Sequence, residues 1–111
     1  MAAKFELKAA KGGKFVFNLK ATNGQVILSS EIYEAKKAAE KGIESVRKNA
    51  ATEKRFEKRE AKNGEQYFVL KAANGEIIGK SEMYKATGSV DKGIASVRKN
   101  APAARLVDLS E

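Results

Sequence analysis

Two copies of one short polar cluster carry the residues best suited to chemistry. They are Ser30-Glu31-Ile32-Tyr33 and Ser81-Glu82-Met83-Tyr84. Each sets a hydroxyl, a carboxylate and a phenol within four residues, at the point where the hydrophobic period changes from that of a strand to that of a helix. Such a cluster would suit a small polar ligand, and Glu31 with Glu82 would suit acid–base work if the fold brought them together. The competing reading is a connector, in which each Tyr ring anchors the start of a helix while its hydroxyl reaches water or a carbonyl. The rest of the chemical inventory is narrow. The chain has no His and no Cys. Ser-His-Asp and Cys-His catalysis, thiolate metal sites and disulfides are therefore excluded. Lys11-Gly12-Gly13-Lys14 joins two strands, whereas a phosphate loop needs its glycines between a strand and a helix N-terminus. The sequence thus points to no catalytic residue, no metal ligand and no cofactor. The expectation is a protein that is not an enzyme, with a small-ligand enzyme at the strand-to-helix junctions as an alternative.

Charge supplies the second set of candidates. Lys and Arg number 22 against 14 Asp and Glu, a net charge of +8. That balance attracts nucleic acid and anionic surfaces, and it also keeps a small domain soluble. Lys14, Lys20, Arg55, Arg59, Tyr67 and Lys71 fall by strand parity on one sheet face, together with Lys4, Lys8, Val16 and Val69. A basic sheet with an exposed aromatic can stack single-stranded nucleic acid. Against this, Tyr67 is the face's one aromatic and Glu6, Glu57 and Glu65 interrupt it. The apolar residues there fit a protein interface equally well. The candidate partners are accordingly single-stranded nucleic acid or another protein.

These residues must be positioned by a duplicated element. Residues 5–50 recur at 56–101 with a constant offset of 51 and no gap, and direct alignment gives 25 identities in 46 positions. A repeat decides architecture before any local pattern does. At 111 residues the chain suits one domain, and either half alone would be marginal, so the copies are expected to share a core. In each copy, alternation predicts three strands. Phe5 and Leu7 open the first; Phe15, Phe17 and Leu19 mark the second; Gln25–Ser29 is the third. Gly12-Gly13 and Asn23-Gly24 supply the turns. Beyond Tyr33, Ala35, Ala39, Gly42, Ile43 and Val46 fall on one helical face. A Glu44–Lys48 pair and a left-handed Asn49 at the C-terminus are expected. Gly42 and its twin Gly93 cost each helix about 1 kcal/mol relative to Ala, which implies close packing or a ligand contact there. A third application of the offset sets Leu106–Leu109 against the opening strand, so residues 104–109 are expected to form another strand. The fold class is α+β, with two β-β-β-α-β units spanning 4–58 and 55–110 within a single domain of 1–111. The helices cover one face of a mostly antiparallel sheet. The segment from Arg55 to Arg59 closes the first unit and opens the second.

The doubled pattern FEL…F-x-F-x-LKA-x-NG-x-x-I…S-E-x-Y…KGI-x-SV-x-x-N resembles the YegP-like family of small bacterial proteins over nearly the whole chain. The resemblance implies one sheet with C-terminal strands exchanged between the units, and it implies no catalytic or binding residues. Ala35 and Ala86 stand where relatives carry Ser or Thr, which removes a first-turn cap worth about 1 kcal/mol from each helix. With no run of 18 apolar residues and no apolar leader, no membrane association is expected. The expectation is a monomeric cytoplasmic protein with a binding or accessory role.

Overall fold

The computed structural model describes residues 3–110. Seven strands form a single sheet, and two helices pack against one of its faces. Unit one contributes β1 (Lys4–Ala10), β2 (Lys14–Lys20), β3 (Val26–Ser29) and α1 (Lys36–Asn49). A 3₁₀ turn, Glu53–Arg55, leads into unit two, with β4 (Phe56–Glu60), β5 (Gln66–Lys71), β6 (Ile77–Lys80) and α2 (Thr87–Asn100). A second 3₁₀ turn, Ala101–Ala103, precedes β7 (Arg105–Asp108). The sheet order is β4-β5-β6-β3-β2-β1-β7, with β1–β7 parallel and the other pairings antiparallel.

Each hairpin turn follows its sequence signal. Gly12, Gly13, Gly24 and Gly75 all take positive φ, a conformation that a side chain penalises. The Asn23 and Asn74 side chains accept the N–H of Gln25 and Glu76, each at 3.0 Å, closing the turn locally. Alternation in β1, β2 and β5 sends Phe5, Leu7, Phe17, Leu19, Phe68 and Leu70 toward the helices, where all six are fully buried. Ile43, Val46, Val90 and Val97 meet them from α1 and α2. The helices straddle the two units: α1 packs on β1 and β2 and also on β5 and β6, and α2 packs on β5 and β3. This shared core explains how two marginal halves make one stable body.

Two local expectations are corrected. Asn49 does not adopt the left-handed conformation; Ala50 caps α1 in right-handed geometry, and no described non-glycine residue has positive φ. Asn49 instead donates its side-chain amide to the Ser45 carbonyl at 2.8 Å. Glu44 pairs with Arg47 at i,i+3, at 3.3 Å, rather than with Lys48. The strand after α1 crosses over as the exchange of C-terminal strands implies: β4 pairs with β5 of unit two. It is β7 that lies beside β1 of unit one, so each strand that follows a helix joins the other unit.

The seam between the units is thin in backbone and dense in packing. β3 and β6 share the single ladder position Ser29↔Lys80. Leu28 and Gly79 are repeat-equivalent and meet there: a Cβ built on Gly79 would lie 2.6 Å from Leu28 Cδ2. One leucine fills a space that two would overfill.

Candidate functional site

The two Ser-Glu-x-Tyr segments do come together. β3 and β6 run antiparallel and touch only at their C-terminal ends, so the residues that follow them splay apart around the seam. Ser30, Glu31, Ile32, Ser81, Glu82 and Met83, with Ser29 and Lys80 from the strand ends, line one open groove of about 440 Å³ there. Ile32 and Met83 are exposed within it, at 63% and 42%.

The hydroxyls of these segments are engaged. Ser30 Oγ accepts the Phe17 N–H at 2.9 Å and donates to the Glu31 carbonyl at 2.7 Å. Ser81 Oγ does the same with Phe68 and Glu82, at 2.9 and 2.8 Å. Each Ser therefore extends the pairing with the neighbouring strand one position past the ladder, where its hydroxyl rather than a backbone carbonyl takes the N–H of Phe17 or Phe68. The Tyr rings serve as anchors. Tyr33 stacks on Phe17 with ring centroids 6.0 Å apart, and Tyr84 stacks on Phe68 at 6.5 Å. Backbone bonds from Phe15 to Tyr33 and from Gln66 to Tyr84 hold these positions. The phenols lie against the helix glycines: a Cβ on Gly42 would collide with the Tyr33 hydroxyl, and one on Gly93 with the Tyr84 hydroxyl. The mid-helix glycines are thus seats for the tyrosines. The close packing expected at Gly42 is realised through the Tyr33 side chain. Burial, followed by the charges of Glu31 and Glu76, raises the pKa of Tyr33 above the ordinary phenol value; burial and Glu82 do so for Tyr84. A phenol shifted in that direction holds its proton more firmly at neutral pH.

The basic face is more structured than its sequence suggests. Glu6, buried to 7% side-chain exposure, is met by Lys20 at 2.9 Å, Lys4 at 3.3 Å and Lys8 at 3.7 Å. Lys20, and then Lys4, hold its carboxyl below the usual range. The equivalent Glu57 takes Lys71 at 2.6 Å and Arg59 at 2.5 Å, and these two partners lower it likewise. Lys80 Nζ lies 5.0 Å from the centroid of the Tyr67 ring, a cation–π contact that caps the face's one aromatic. Lys14 stands exposed at the start of β2. Arg55 separates from the group. It falls in the 3₁₀ turn rather than in β4, and it lines a groove with Lys48, Asn49 and the Ala72–Asn74 turn on the helix side. The turn breaks the alternation on which its placement depended. Lys20, Arg59, Tyr67 and Lys71 remain on the open face. The organising role of Glu6 and Glu57 was missed by sequence reasoning, which treated them as interruptions. Glu6 lies opposite Asn18 and Glu57 opposite Val69, which sets each diagonal to a recurrent lysine, Lys20 or Lys71, and that spacing was the available signal.

Comparison with known proteins agrees with this architecture. The model of the domain of unknown function DUF1508 matches twice, at residues 10–57 and 61–108. This chain belongs to the DUF1508 family. Each match ends on the strand that follows a helix, so the family unit includes the exchanged strand. A UPF0339 protein of Pasteurella multocida is 56% identical over 106 residues, which cover 96% of this chain and 93% of that one. The UPF0339 protein YegP of Escherichia coli is 54% identical over 100 residues, covering 90% and 91%. The solution structure of YegP, a protein of unknown function, superposes with a TM-score of 0.93 at 50% identity over 99% of this chain and 95% of that one. A UPF0339 protein of Shewanella oneidensis gives 0.92 at 47% identity, over 99% and 93%. Among the described residues no helix is long and apolar enough to cross a membrane.

Proposed function

We propose that this chain is a non-catalytic binding protein that captures a segment of another protein in the seam groove. One observation carries the reading: Ile32 and Met83 stand exposed beside Glu31 and Glu82 on a chain of net charge +8. Exposed apolar side chains beside two carboxylates, against the single Lys80 of the groove lining, suit a partner segment that brings an apolar side chain flanked by Lys or Arg. The engagement of Ser30, Ser81, Tyr33 and Tyr84 in packing supports a binding role over a catalytic one. The test places a photo-crosslinking residue at Ile32 or Met83 in the cell of origin. Protein adducts should form at both positions and disappear when Glu31→Lys and Glu82→Lys are combined. Adducts that survive the charge reversal, or that form equally from a position on the outer face of α1, would refute the reading.

A second reading, single-stranded nucleic-acid binding by the open face, is favoured by exposed Lys14 and by the overall charge. With Glu6 and Glu57 holding five of the cations and Lys80 over Tyr67, it supports weak, sequence-tolerant binding. A salt titration measures it, since log affinity falls against log salt with a slope of about −0.7 per neutralised phosphate.

A further inference from the structure

Unit one shows how the outer edge of an opening strand is covered. β7 runs parallel to β1 with Phe5 opposite Leu106 and Leu7 opposite Asp108. The Leu109 N–H donates to the Leu7 carbonyl at 2.7 Å, and Asp108 pairs with Lys36 of α1. Beneath this strand Phe5 is fully buried and Ile43 is 1% exposed.

In unit two the same edge is open. The offset maps β1 onto β4, and among the described residues no strand lies beyond β4. The direction of its backbone groups follows from its neighbour. Phe17 turns its N–H and C=O toward Ser30, so Leu7, paired with Phe17, turns its own toward β7. Phe68 turns the same groups toward Ser81, so Lys58, paired with Phe68, presents its N–H and C=O at the free edge. Beside that edge lies a groove of about 280 Å³ between β4 and α2. Phe56 and Ile94 form its floor, and Lys58, Asp91, Glu53 and Arg98 its rim. Phe56 is only half-buried, unlike its twin Phe5.

Lys58 occupies the position of Leu7. An inward charge on an edge strand deters indiscriminate sheet pairing, and it also sets a condition for entry. Lys58 pairs with Asp91, but both side chains are at least half exposed, so this bridge is easily exchanged. In the register that β7 takes on β1, the residue opposite Lys58 is the counterpart of Asp108.

We propose that the β4 edge and its groove bind an extended peptide of another protein, parallel to β4, with an apolar residue opposite Phe56 and a carboxylate two residues later opposite Lys58. Strand addition of this kind draws affinity from backbone hydrogen bonds and selectivity from alternate side chains. The site lies on the outer edge of the sheet, away from the central seam, and does not depend on the reading given for that groove.

The experiment uses the full chain, labelled for amide spectra, and a capped peptide with the sequence of residues 104–110 as the probe. Saturable shifts should concentrate at residues 57–60 and 91–98. Lysine in place of Asp108 in the peptide should weaken binding about tenfold, in line with the loss of one charge-assisted contact. Lys58→Glu in the protein should reverse the preference, so that the lysine peptide binds better. Methylating the peptide nitrogen equivalent to that of Leu109 should abolish binding. No shifts at millimolar peptide, shifts confined to β1 through exchange with the protein's own β7, shifts at the seam groove, or unchanged binding of the methylated peptide would each overturn the proposal.

Discussion

The contact between Leu28 and Gly79 makes the sharpest test of how the two units are joined. Leu28 is fully buried, and a Cβ added at Gly79 would lie 2.6, 2.7 and 3.1 Å from its Cδ2, Cγ and Cδ1. An ordinary contact is about 3.6 Å, so Leu28 would have to retreat by about 1 Å in a close-packed core that leaves no room for it. Gly79→Ala should therefore cost about 1–3 kcal/mol, the range for overpacking, even though Ala normally favours a strand over Gly. Leu28→Ala alone should cost about 2–5 kcal/mol through lost burial and the cavity it leaves. In the double variant the new methyl group enters space that Leu28 has vacated, so the Gly79→Ala penalty should vanish or change sign. The coupling energy then equals about the whole of that penalty, 1–3 kcal/mol, well beyond the few tenths seen for independent sites. Urea unfolding of the four proteins reads it out, with a common slope required before midpoints are compared. Strict additivity, or a Gly79→Ala variant as stable as the parent, would refute the account of the seam.

Three further outcomes follow from the same contacts. Gly42→Ala should destabilise, despite a helix-propensity gain of about 1 kcal/mol, because its Cβ meets Tyr33 and Phe17; in a Tyr33→Ala background the same change should stabilise in urea titrations. Glu6→Gln leaves Lys4, Lys8 and Lys20 without their shared carboxylate, so it should cost about 1 kcal/mol, the upper end for partly solvated pairs, and should tighten any single-stranded RNA binding at low salt. Asp108, held at about 2 by Lys36 and then by the Ser110 hydroxyl and N–H, has a folded value below its unfolded one. Its contribution is thus complete above about pH 4 and is lost as pH falls through about 2, and Asp108→Asn should remove that part of the acid dependence of the β7 amide protection.

The sequence revealed most where one period governs one environment. Alternation in β2 and β5 placed Phe17, Leu19, Phe68 and Leu70 in the core because these positions toward the helices are apolar and fully buried. The offset of 51 identified the tail strand, since β7 pairs with β1 through the same alternation. Legibility failed where tertiary contacts decide. Parity could not place Arg55, because a 3₁₀ turn intervenes before β4. Nor could it say whether Glu31 and Glu82 meet, because that depends on β3 and β6 pairing by their ends alone. The glycines at 42 and 93 were legible as close approaches, but what approaches them, the Tyr33 and Tyr84 phenols, is a long-range fact.

Equivalent residues that differ between the copies locate what the duplication made possible. At the seam, Leu28 and Gly79 are complementary, so two copies of unit one would clash there and two copies of unit two would leave a void. A chain carrying both solves the packing once, in one orientation, and the shared core then ties the units to each other. At the outer edges, Leu7 and Lys58 differ in the opposite sense. Leu7 is sealed beneath β7, whereas Lys58 turns toward Asp91 of α2, half exposed, and among the described residues no strand covers its edge. A purely structural strand would gain by burying an apolar residue there, and a merely protected edge would not need the adjoining floor of Phe56 and Ile94. The combination of an apolar floor, unpaired backbone and one exchangeable ion pair suits a surface that admits strands selectively. The same divergence that fixes the seam therefore leaves unit two with the edge on which partner recognition can be built.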